Sequence, residues 1–306
     1  MNYEAVFNQV AILCIMILVG YYACKRDILN REANQKLSDL LLSITLPCMI
    51  LTSFQFDFSA AVLYDAGRIL IIASLIHLFS AGVAKALYKK SPWQTASVLR
   101  FATIFSNAAF MGFPVIDSLY SQIGVFYTAI YVVVFNLFAW SYGVVLFTGQ
   151  KDWSSLKSSL QNPGIVATIV GLILYAASVR LPLPLFKALN LVGSMTTPLS
   201  MLIIGTLLAQ ADYKDLFRGR HLLSGIAIRL LGLPLLLFAI LHSLDITGVV
   251  ANVLVLVTAM PAAAITVIFA EKHQADALLA SRFVALSTLL SLVTLPGLIL
   301  FLSAVS

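Results

Sequence analysis

Residues 105–116 read FSNAAFMGFPVI, an apolar stretch with Ser106, Asn107, Gly112 and Pro114 in its middle. Proline lacks a backbone donor and clashes with the turn before it, so a helix running through this stretch must kink or break. Residues 257–267, VTAMPAAAITV, set Met260 and Pro261 in similar surroundings. Non-helical backbone at hydrocarbon depth is tolerated only inside protein or against a watery cavity. Its freed N–H groups, with the positive end of the following half-helix, suit an anion. The Asn107 amide can donate to a carboxylate or accept from a substrate donor. Ser106, Thr45, Thr196 and Met260 are expected to line the same cavity. Two ionisable residues accompany this set. Arg229 lies within LLSGIAIRLLGLPLLL, where a charge costs roughly 2.5–3.5 kcal/mol on insertion scales, so it is expected to face the interior. It reads either as a clamp on unwound carbonyls or as an attractor for an anionic substrate. His77 reads as a proton-coupling group or as a hydrogen-bonded packing residue. Enzymatic and metal chemistry find no comparable set. His77, His221, His242 and His273 have no ligand spacing, and Cys14, Cys24 and Cys48 read as small apolar side chains. No enzyme and no cofactor are expected, with sodium or proton coupling left open.

The surrounding chain must carry these residues in lipid. Of 306 residues, 60% are hydrophobic and 10% charged, whereas soluble domains carry about 25% charge. Runs such as 5–24, 118–150, 246–270 and 283–306 hold no Asp, Glu, Lys or Arg. A spanning helix needs roughly 20 apolar residues. The expected fold is all-α and integral to the membrane, with ten spans near 4–24, 37–56, 62–86, 96–118, 123–148, 162–179, 187–209, 220–242, 248–270 and 278–302. No separate soluble domain is expected. The first run has no basic leader and does not read as a cleaved signal.

Basic residues give a direction, because short cytoplasmic loops retain them. Lys25, Arg26, Arg31 and Lys36 follow span one; Lys85, Lys89, Lys90 and Arg100 follow span three. Lys151 and Lys157 follow span five, Lys214, Arg218 and Arg220 follow span seven, and Lys272 and Arg282 follow span nine. The other side holds Arg180 and Lys187 beside Glu4, Asp57, Asp65, Asp117 and Asp245. Both termini are therefore expected outside a cell membrane. The net charge of +6 is a topology signal and points to no nucleic acid.

The halves 1–150 and 151–306 resemble each other. SITLPCMIL (43–51) and SMTTPLSML (194–202) both place Ser four residues and Thr two residues before a proline, Pro47 and Pro198. Pro114 and Pro261 follow at comparable distances, and His77 and Arg229 occupy similar offsets. Five spans per half make the repeat inverted, and inverted repeats with interrupted helices point to a secondary transporter's binding site. No mid-membrane acidic pair is evident, which favours an anionic substrate.

NAAFMGFP (107–114) resembles the N-x-x-x-M-G-x-P signature of the auxin efflux carrier family. AMPAAAITVIFAEKH (259–273), IAIRLLGLP (226–234) and STLLSLVTLP (287–296) resemble its second crossing, eighth span and last span. The resemblance implies crossed, broken helices four and nine, with Asn107, Gly112, Pro114 and Pro261 at the crossing. It also implies a scaffold of spans one, two, six and seven, a moving transport domain of the rest, export or exchange of organic anions, and a homodimer. Two departures stand out: the loop GQKDWSSLKSSLQN (149–162) is short, and Ala262 and Ala263 follow Pro261 where plant carriers tend to have Gln-Gly. The short form resembles bacterial permeases for malate, malonate and similar carboxylates. A cation-coupled symporter and a ligand sensor that kept the transporter fold are the competing expectations.

Overall fold

The computed structural model describes residues 3–149, 161–210 and 219–305, and these are helical with no strand. In chain order the helices are α1 (Tyr3–Lys25), α2 (Arg31–Leu40), α3 (Leu46–Ser53), α4 (Ala60–Leu87), α5 (Trp93–Ile104), α6 (Phe113–Phe138) and α7 (Val144–Thr148). After residue 160 come α8 (Pro163–Ala176), α9 (Leu183–Ser194), α10 (Thr196–Gln210), α11 (Arg220–Ala227), α12 (Leu233–Ser243), α13 (Gly248–Ala259), α14 (Ile265–Lys272) and α15 (Ala277–Val305). Among the described residues, six helical stretches are long and apolar enough to cross a membrane: Glu32–Ser53, Ala60–Leu87, Ala108–Thr148, Leu183–Gln210, Arg220–Ser243 and Ala277–Val305. The shorter apolar helices Ala11–Lys25, Pro163–Ala176 and Gly248–Ala259 accompany them. The helical form follows from the solvent, since hydrocarbon offers backbone groups no partner outside the segment.

Prolines shape these helices through widened turns. π turns at Leu41–Thr45, Ala108–Gly112 and Ile228–Gly232 each end two residues before a proline, at Pro47, Pro114 and Pro234. The carbonyl that each proline ring would strike, four residues back, belongs to the middle residue of the turn. Widening the ladder there lets the helix continue. Two bends have no such signature. Ser121 interrupts α6 with φ 50° and ψ −144°, and Met195 separates α9 from α10. The Ser121 break falls between the expected fourth and fifth spans.

Two packing groups emerge. In one, α1 lies along α10, and α3 packs between α8 and α9. The α1–α10 seam is backbone against backbone: a Cβ on Gly20 would sit 2.3 Å from the Leu202 oxygen, and one on Gly205 would sit 2.1 Å from the Ile17 oxygen. Small residues allow this approach where lipid supplies no hydrophobic drive between helices. In the same group Gly171 of α8 faces the Phe54 ring. In the other group α4 packs on α5 and α6, α6 and α12 on α13, and α5 and α14 on α15. The groups meet where α3 and α8 touch α6, where α1 touches α15, and where the turn Ala108–Gly112 rests on α10.

Two contacts join loops that are expected on the same side. Asp57 and Arg180, expected on one side, form an ion pair at 2.6 Å. On the other side the Asp276 N–H donates to the Gln94 carbonyl, joining the loops that carry Lys89, Lys90 and Lys272. Arg68 adds a cation to the acidic side that the charge count omits, and Asp65 offsets it at 3.1 Å. Lys151, Lys157, Lys214, Arg218 and most of the short 149–162 loop lie outside the described residues, as do the side chains of Glu4 and Arg31.

Candidate functional site: a crossing of two broken helices

α5 ends at Ile104, and the chain extends through Phe105 (φ −99°, ψ 116°) before turning at Asn107 (φ −77°, ψ 56°). α13 ends at Ala259, and Met260 (φ −57°, ψ 148°) leads into a second extended piece before α14. The two pieces run antiparallel with Ser106 opposite Ala262. The Asn107 N–H donates to the Pro261 carbonyl at 2.7 Å, and the Ala263 N–H donates to the Phe105 carbonyl at 2.9 Å. The Ala262 N–H donates to Ser287 Oγ at 3.1 Å, which straps the crossing to α15. The Ala108 N–H closes a γ-type turn on the Ser106 carbonyl at 2.8 Å. Backbone that lost its helix has thus regained partners from the opposite strand and from α15, as burial demands.

Pro114 and Pro261 are not equivalent in this arrangement. Pro261 belongs to the crossing and supplies an acceptor. Pro114 stands in the first turn of α6, seven residues past Asn107, and the break it was expected to cause lies instead at Phe105–Asn107. The π turn Ala108–Gly112 absorbs its steric demand. Within that turn, a Cβ on Gly112 would lie 3.7 Å from Met260 Cγ, so Gly112 and Met260 pack across the crossing.

The two incoming helices aim their C-terminal ends at one cation. Arg229, 1% exposed, donates through Nη1 to the Thr103 and Ile104 carbonyls at 3.0 and 2.9 Å, and through Nη2 to the Thr258 carbonyl. Thr103 and Ile104 close α5, and Thr258 lies in the last turn of α13. Among the described residues no carboxylate pairs with Arg229, and its Nε has no partner. His77 lies in an aromatic cage of Phe105, Tyr131, Phe135 and Phe138; its Nδ1 meets the Ala73 carbonyl at 2.7 Å, and its Nε2 has no partner among the described residues.

The outgoing half-helices point their N-terminal ends back at the crossing without help from side chains. Neither Asn107, before the π turn and α6, nor Ala264, before α14, makes a side-chain capping bond. Asn107 is 4% exposed, and the buried Ser106 hydroxyl has no partner among the described residues. Thr45 and Thr196 meet each other rather than the Asn107 amide, with Oγ1 of Thr196 donating to Oγ1 of Thr45 at 3.1 Å. They approach the crossing through α10, which Thr196 opens and on which the turn Ala108–Gly112 rests.

One polar cleft of about 250 Å³ separates the packing groups near the Ser121 break. Ser53 of α3, Asp117 and Gln122 of α6, and Asn190 and Ser194 of α9 line it, and Asp117 is the charged residue in that lining. Gln122 crosses its edge, donating through Nε2 to the Thr52 carbonyl at 2.7 Å. Sequence reasoning placed Asp117 on the outer side but missed this cleft, which is assembled from three distant segments.

A family model described as membrane transport protein matches residues 5–299. The chain is similar to an uncharacterized transporter of Methanocaldococcus jannaschii, at 26% identity over 94% of this chain and 96% of the relative. A second uncharacterized transporter, from Methanothermobacter thermautotrophicus, is 26% identical over 92% of this chain and 93% of its own. The uncharacterized transporter YfdV of Escherichia coli is 21% identical over 93% of each chain.

Proposed function

The chain belongs to the membrane transport protein family, and from that premise we propose that it carries a small organic anion across the membrane by alternating access at the crossing. The observation that carries this reading is the sorting of helix ends. Two C-terminal ends are held by Arg229, while two N-terminal ends lack side-chain caps beside Asn107. The positive ends of helices favour a carboxylate. Asn107 contacts that carboxylate, with Ser106, Gly112, Pro114, Met260 and Pro261 forming the wall and Thr45 and Thr196 the facing surface. Malate, malonate and related acids are the substrate class, ahead of an auxin-like indole acid.

In this reading ten spans form two inverted repeats, 1–150 and 151–306, with both termini outside. A constant offset supports the repeat. Thr45 and Thr196 stand 151 residues apart. Gly171 follows Gly20 by the same interval, as Gly205 follows Phe54, so the Gly20–Gly205 seam and the Gly171–Phe54 contact are counterparts. The α1, α2–α3, α8, α9–α10 group acts as the scaffold, and the group around α4–α6 and α11–α15 moves against it. A homodimer held through the scaffold fits this division.

The test is current from proteoliposomes on a solid-supported membrane, challenged with malate, malonate, other dicarboxylates and indole acetate under sodium or pH gradients. Current or radiolabel counterflow from one of these acids supports the reading, and its ion dependence distinguishes a uniporter or exchanger from a symporter. Ligand stabilisation without flux by either method favours a sensor and contradicts it.

A further inference from the structure

Arg229 is a buried cation with no carboxylate partner among the described residues, and the transport reading gives it no contact with substrate. Its balance comes from the backbone. A helix C-terminus is equivalent to about −0.5 charge. α5 and α13 both end on the guanidinium, so the two ends together offset about one positive charge. In secondary transporters with broken helices, C-terminal carbonyls of this kind coordinate a monovalent coupling ion. Here a side chain already occupies them.

We propose that the Arg229 guanidinium is a tethered coupling cation: it fills the place where a sodium ion would bind the crossing, and the wild-type crossing neither needs nor binds sodium there. Three features fit a cation seat better than a packing role. The three carbonyls come from two separate helices, so the guanidinium ties together segments that are 29 to 126 residues away from it in sequence. Arg229 sits in the π turn Ile228–Gly232, where the widened ladder lets the side chain leave α11–α12 toward the crossing. His77 and Tyr131, whose rings pack on each other and which lie near enough to interact electrostatically with Arg229, are not carboxylates and leave the carbonyls as its partners. The cradle therefore outlasts the arginine: emptied of its side chain, it presents two helix ends of uncompensated negative potential sized for one monovalent cation.

The test is thermal unfolding of the purified protein in choline, sodium, potassium and sub-denaturing guanidinium chloride. It does not depend on any transport assay, so it stands apart from the identity of the substrate. Wild type should melt at the same temperature in sodium and in choline. Arg229→Ala should melt lower and recover in guanidinium or sodium, while Gly205→Ala, destabilised at a remote seam, should recover in neither. Arg229→Lys keeps a tethered charge and should be insensitive to sodium. Sodium stabilisation of wild type would overturn the proposal, and that arm decides even if Arg229→Ala does not fold. Equal indifference of Arg229→Ala and Gly205→Ala to every cation would also overturn it.

Discussion

The substitution Gly205→Ala probes the packing most directly. A Cβ at this position would lie 2.1 Å from the Ile17 oxygen, 2.6 Å from the Tyr21 nitrogen and 2.9 Å from the Gly20 carbonyl carbon. All three are backbone atoms of α1, so no side-chain rotation relieves the contact. α1 and α10 must separate by about 1 Å, a gap that forfeits a quarter to a half of the dispersion energy of the atoms it parts. Overpacking of this kind costs about 1–3 kcal/mol, against about 1 kcal/mol that alanine gains over glycine in a helix. Gly82→Ala on α4 is the internal reference, because nothing lies within 4 Å of its Cβ. Thermal unfolding in detergent, followed by size exclusion, should rank Gly82→Ala at or above wild type and Gly205→Ala clearly below it. Equal melting temperatures for the two variants would refute the backbone-contact seam.

Other expectations concern the crossing and the cleft. Ser287→Ala leaves the buried Ala262 N–H without its acceptor, at a cost of about 1–3 kcal/mol, and should lower the melting temperature without changing the oligomer seen by light scattering. Thr196→Val breaks the shared hydrogen bond, worth about 1 kcal/mol, and Thr45→Val breaks it together with the longer bond to the Leu41 carbonyl; the double variant should lose less than the sum, because one bond is common to both. Asp117→Asn removes the charge from the cleft lining. For an anion at the crossing, ten helical residues or about 15 Å away, Coulomb's law through wet space gives a gain of roughly 1.5- to 2.5-fold in apparent affinity. Initial uptake rates should show that gain at low ionic strength and lose it at high salt.

The helical, membrane-spanning character was legible because lipid imposes a single demand on every residue of a span. The location of the crossing was legible too, since Asn107 and Pro261 stand out against apolar neighbours. Its geometry was not. The break fell at Ser106 rather than at Pro114 because a π turn takes up the proline's clash, and a proline alone does not say whether the helix ahead of it breaks or widens. The pairing of Ser106 with Ala262 and the seat of Arg229 rest on backbone carbonyls, which every residue carries equally. The Ser121 reversal uses a positive φ without glycine, and the Asp117 cleft draws its lining from three segments far apart in the chain.

The most direct measurement compares wild type, Asn107→Ala and Asn107→Asp in proteoliposomes, reading current or counterflow with the acid that wild type transports. Both variants keep the crossing's backbone bonds, so Asn107→Ala should melt near wild type, whereas Asn107→Asp should melt lower because its carboxylate is buried without a partner. The account predicts that Asn107→Ala loses nearly all transport and that Asn107→Asp, assayed at a pH high enough to ionise the buried carboxyl, loses at least as much, because it sets a carboxylate against a carboxylate. Transport at wild-type rate in Asn107→Asp would contradict an anion site at the crossing.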